Sequence, residues 1–105
     1  MKNDSIIPRD PHLDEFLPFV GQTIWADCDP APVPLALIEA TPLVNRAGLT
    51  RPPFLLVFRS APEALLVSAD YVLRNERFGP DRVSLTQMAR PSSGPPGHYY
   101  QAIFN

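Results

Sequence analysis

A chain of 105 residues with a net charge of −2 has room for one hydrophobic core and none for a separate substrate domain. One lysine, Lys2, and scattered arginines argue against the clustered basic surface of a sequence-independent nucleic-acid binder, and no apolar run approaches the ~20 residues of a membrane helix. Cys28 is the sole cysteine, which excludes an internal disulfide framework, and its fourteen prolines break the chain into pieces too short for long helices.

Residues 1–9 are polar, contain Pro8 and lack the apolar stretch of a secretory signal. They read as a loose arm ahead of a single β domain at 10–105, in a protein expected in the cytoplasm. Asp10-Pro11 supplies a helix start, with Asp as N-cap and Pro at the first helical position. Asp14 and Glu15 suit the positive end of the helix dipole. Leu13, Phe16 and Leu17 form one apolar stripe. Pro18 limits this helix and Gly21 marks its exit.

Strand patterns follow. Residues 22–28 are rich in β-formers, and Asp29-Pro30-Ala31-Pro32 ends them. Residues 34–41 form a second candidate and 43–51 a loop. Residues 53–60 contain Phe54-Leu55-Leu56-Val57-Phe58, apolar on both faces, as in a central or sandwiched strand. Residues 62–67 allow one turn of helix, and 70–75 form a short strand with Tyr71 and Leu73. Phe78-Gly79-Pro80-Asp81 carries a turn signal. Residues 82–89 alternate, with Val83, Leu85 and Gln87 on one side. A Pro/Gly/Ser loop at 91–97 leads to the last strand at 98–105, where Tyr100, Ala102 and Phe104 share a face. The fold class is therefore all-β: about six short antiparallel strands in a small barrel or sandwich, with one short N-terminal helix.

Chemistry-bearing residues are sparse. Metal ligation would draw on His12, His98 and Cys28 with Asp27 and Asp29, and none has the paired spacing of a zinc site. Cys28 lacks any nucleophile signature, and Asp27 and Asp29 read as a solvated turn. The glycines at 21, 48, 79, 94 and 97 make no phosphate-binding loop. No catalytic residue, metal or cofactor is assigned. Trp25 points away from Ile24 and Ala26, and Tyr99 away from Tyr100. Two readings stay open: Trp25 packs in the core, the common fate of a large aromatic, or Trp25 and Tyr99 form an exposed patch. Arg59 and Arg74 alternate with core residues, on a solvated face or around a charged pocket. The candidate binding residues are Trp25, Arg59, Tyr71, Arg74 and Tyr99.

Four segments carry a family resemblance: Phe16-Leu17-Pro18-Phe19-Val20-Gly21-Gln22-Thr23-Ile24, then Pro53-Phe54-Leu55-Leu56-Val57-Phe58-Arg59, then residues 66–73 around Tyr71, then Tyr100-Gln101-Ala102-Ile103-Phe104-Asn105. In these the chain resembles a group of small uncharacterised bacterial β domains of unknown function, with the ending Tyr-x-Ala-x-Phe-Asn as the most distinctive part. The glycine such domains carry before the Tyr71 strand is Ala69-Asp70 here. The resemblance implies a small β domain, no established activity, and a setting beside phage-tail-like proteins.

The resulting expectation is a non-catalytic interaction or assembly module whose partner is protein, either a second copy or another chain, with no nucleic acid and no membrane. The alternative is a small-molecule-binding barrel or minor enzyme, its site at the barrel mouth among Trp25, Tyr71, Arg59 or Arg74.

Overall fold

The computed structural model describes residues 10–105, so the arm expected at 1–9 lies outside the described residues. The elements are α1 (Leu13–Phe16), a 3₁₀ turn (Leu17–Phe19), β1 (Thr23–Ala26), β2 (Val33–Pro42), β3 (Phe54–Ser60), β4 (Ala69–Asn75), β5 (Phe78–Met88) and β6 (His98–Phe104). The strands close in the order β1-β2-β3-β6-β5-β4, with every neighbour antiparallel. The all-β expectation holds, and the choice between barrel and sandwich falls to a closed six-stranded barrel.

The helix begins two residues later than Asp10-Pro11 implies. His12 is its N-cap. The His12 N–H donates to Glu15 Oε2 at 2.9 Å and the Glu15 N–H donates to His12 O at 3.0 Å. Pro18 has no N–H to give, and the chain tightens into 3₁₀ geometry after one turn. Three residues per turn then place Phe19 beneath Phe16. Both are buried and Leu13 packs against the same core, while Leu17 is 48% exposed, so of the expected Leu13–Phe16–Leu17 stripe only Leu17 turns outward and Phe19 takes its place.

β3 pairs with β2 on one side and along its whole length with β6 on the other, and its continuous apolar run matches burial on both faces, with Phe54, Leu56 and Phe58 inward and Val57 covered on the outer side. The Phe78–Asp81 segment is not a turn. It opens β5, and the reversal falls at Glu76-Arg77, where the Arg77 N–H donates to Asn75 Oδ1 at 2.7 Å. Gly79 is needed there because a Cβ would lie 2.6 Å from Leu73 O, and its φ is +86°. Residues 62–67 form no helix, only a turn closed by the Ala64 N–H on Ala61 O.

Both ends of the barrel are plugged. At one end α1 packs Phe16 on Phe54 and Phe104, with ring centroids 5.8 and 5.9 Å away, and Phe54 stacks on Phe104 at 4.6 Å. At the other end of β3, Tyr100 pins the 61–67 loop. The Ser60 hydroxyl donates to Ala64 O at 2.6 Å, which leaves the Tyr100 O–H to donate to Ser60 Oγ at 2.8 Å. The Leu66 N–H then donates to the Tyr100 oxygen at 3.0 Å. Between the plugs the interior is filled by Ile24, Leu35, Leu37, Leu56, Phe58, Leu73 and Leu85, all at most 1% exposed. Among the described residues no helix is long and apolar enough to cross a membrane.

Candidate functional site

Among the described residues, the outer wall carries a groove with a volume of about 730 Å³. This lies within the range of about 300–1,000 Å³ usual for ligand sites. Strand alternation builds one side of it. Thr23, Trp25 and Asp27 occupy alternate positions, so all three face outward while Ile24 and Ala26 fill the core. The opposite side is the end of β4 and the turn after it: Arg74, Asn75, Glu76 and Arg77.

Trp25 and Arg74 are register partners across the β1–β4 ladder. Arg74 reaches Asp27 in a two-point grip, Nε to Oδ1 at 2.9 Å and Nη2 to Oδ2 at 2.5 Å. Arg77 lays its guanidinium over the Phe19 ring, 5.8 Å from the centroid. Trp25 itself is 43% exposed, so its indole is wall and not core. Pro34 lies opposite Trp25 on β2 and Pro32 lines the groove beside it. The outcome is an apolar platform edged by a charge pair that neutralises itself.

The other three candidate residues lie elsewhere. Tyr99 is 2% exposed, which overturns its place in an exposed patch. It does point outward, as alternation requires, but the 91–97 loop folds over it. Its hydroxyl donates to Pro95 O at 2.7 Å, and a Cβ on Gly94 would sit 2.6 Å from that hydroxyl. Arg59 is the register partner of Tyr99 and donates from Nη1 to Pro96 O at 3.0 Å, so it anchors the same loop. Tyr71 points inward from β4, packs against the core and donates its O–H to Val67 O at 2.7 Å.

Asp27 was readable only as a turn residue, although its place two positions after Trp25 on one strand is the signal that puts both on the same face. Gln22, Thr23 and the 75–77 turn carry no local signal, because the groove forms only when β4 closes on β1.

Burial raises the Cys28 thiol above its ordinary value, and Asp27 and Asp29 add to the shift, the reverse of what an attacking thiolate needs. Asp27 is engaged by Arg74. Among the described residues no three His, Cys, Asp or Glu side chains converge as a metal-binding group.

Fold and groove together define a small closed antiparallel β barrel with an open groove on its wall. Residues 11–104 match the family described as a domain of unknown function (DUF6916), and the chain belongs to that family. No curated protein and no solved structure matches it.

Proposed function

We propose that this domain is a non-catalytic protein-interaction module that receives a partner chain in the groove on its outer wall. The observation that carries the reading is the exposed indole of Trp25 beside the self-neutralised Arg74–Asp27 pair. Covering the exposed 43% of that side chain removes roughly 100 Å² from water, about 2.5 kcal/mol of driving force. A surface tryptophan of this kind is a common binding hot spot. The plugged ends and filled interior favour this reading over a ligand held at the barrel mouth.

The family resemblance motivates a bacterial setting beside phage-tail-like proteins, and the single cysteine, Cys28, motivates a reducing cytoplasm. Gene neighbourhood tests that setting, and consistent absence of tail-like neighbours removes it. The interaction itself is tested by capturing the tagged protein and its Trp25→Ala variant from the native cell. A stoichiometric chain present with the first and lost with the second supports the module. A chain retained equally by both places the interface elsewhere.

A further inference from the structure

The ladder between β1 and β4 stops early, and where it stops leaves the N–H and C=O of one residue aimed into the groove. In an antiparallel sheet, alternate residues direct their N–H and C=O to opposite neighbours. The Leu37 N–H donates to Gln22 O at 3.1 Å, so Gln22 faces β2, and Ile24 and Ala26 follow it by alternation. Thr23, Trp25 and Asp27 therefore face the β4 side, in keeping with the Asp27 N–H donating to Val72 O at 2.9 Å. Among the described residues β4 pairs with β1 at Trp25↔Arg74 and Ala26↔Leu73. Continuing that register sets Thr23 opposite Glu76. But β4 ends at Asn75, after an irregularity between Leu73 and Asn75, and Glu76 belongs to the turn. The N–H and C=O of Thr23 thus point between β1 and the 75–77 turn, the two sides of the groove.

From this geometry, and resting on the reading of the groove as the interaction surface, we propose that the occupant is an extended peptide segment. It adds main-chain hydrogen bonds to Thr23 and rests an uncharged side chain on Trp25. A donor and an acceptor from one strand residue match the main chain of one extended partner residue. The side chain of that partner residue stands on the outer face with Thr23, diagonal to Trp25 and within reach of an indole. Charge selects further. The groove carries Arg74 and Arg77 against Asp27 and Glu76, so its formal charges cancel and neither a basic nor an acidic tail is favoured.

The test selects binders to the full chain from a displayed library of random peptides and titrates them, dye-labelled, by fluorescence anisotropy. Amide exchange of Thr23 is followed by NMR. Binding is expected to slow exchange of the Thr23 N–H by about tenfold or more, the size of one main-chain hydrogen bond. Methylating the contacting amide nitrogen of the peptide should weaken binding by a similar factor, as should Trp25→Ala, whose folding the same amide spectrum verifies. Peptides that need Trp25 but leave Thr23 exchange and the N-methyl control unchanged overturn the strand addition and leave the groove reading intact. Peptides indifferent to Trp25→Ala overturn both. A library that yields no binder, or oligosaccharides that quench Trp25 where peptides do not, overturns the peptide occupant.

Discussion

Arg74 faces Trp25 across the β1–β4 ladder yet directs its charge to Asp27, two residues further along and just past the end of β1. This diagonal grip ties the closing strand to the groove wall, and it lies close to the end of the ladder. The barrel is uneven for the same reason. Among the described residues β4 meets β1 at two register pairs and β5 meets β6 at three, whereas β3 meets β6 at seven. The β4–β5 hairpin is thus held by two short seams against a more continuous sheet of β1, β2, β3 and β6.

The Arg74–Asp27 pair should contribute little to stability. Its side chains are 34% and 36% exposed, so solvent screens the attraction. Asp27→Asn is expected to shift the urea midpoint by an amount equivalent to less than about 1 kcal/mol. It should speed amide exchange at Asp27 and Val72, which sit on the seam. A loss above about 3 kcal/mol would mark the pair as behaving like a buried one.

Tyr100→Phe tests the plug opposite α1. The hydroxyl it removes accepts from the Leu66 N–H and donates to Ser60 Oγ, and Tyr100 is fully buried. Stranding those partners should cost about 1–3 kcal/mol in denaturant unfolding. Leu66 amide exchange should rise more than exchange at Phe54, at the far end of β3. Equal rises at both sites would show that the hydroxyl serves the whole barrel and not the loop.

Gly97→Ala should release the loop that hides Tyr99. Gly97 has a φ of +146°, and a Cβ there would overlap the backbone oxygen of Ser60 and meet the Arg59 side chain at 3.0 Å. Strain plus displaced backbone predicts a loss of about 2 kcal/mol or more. Limited proteolysis within 91–97 should accelerate, with a change in the near-ultraviolet tyrosine signal. Unchanged proteolysis would mean that the loop finds another seat.

The inward faces were legible wherever alternation and apolar type agreed. Tyr100, Ala102 and Phe104 on β6, and Val83 and Leu85 on β5, follow from period two alone. Tyr99 shows the limit. Its outward direction was readable, but its burial depends on a proline-rich loop folding back, which no local pattern encodes. Gly79-Pro80 carries the chemistry of a turn, yet it serves as the close approach that lets β5 press on β4. Within the groove, Trp25 and Arg74 stood out as residue types. Their meeting with Asp27 is a contact between residues 47 apart in sequence, fixed only by barrel closure.

Alkaline pH gives the last prediction its sign. Burial is the largest cause raising Cys28, followed by Asp27 and Asp29, and burial likewise leads for Tyr71, followed by Cys28 and Tyr100. Both groups are neutral in folded and unfolded chains at pH 7, so they add no pH dependence there. Above the ordinary values of 9.0 for the thiol and 10.0 for the phenol, the unfolded chain loses protons that the folded chain retains. The unfolded state then binds fewer protons, and stability falls as pH rises until the folded-state values are reached. Unfolding free energy measured from pH 8 upward should therefore decline through this window, and Cys28→Ser should remove the earlier part of the decline. Alkylation of Cys28 at pH 8 should also be slower in the native protein than in urea. A native thiol that reacts as fast as the unfolded one would show that the raised value is not a property of the folded chain, and would restore Cys28 as a candidate for chemistry.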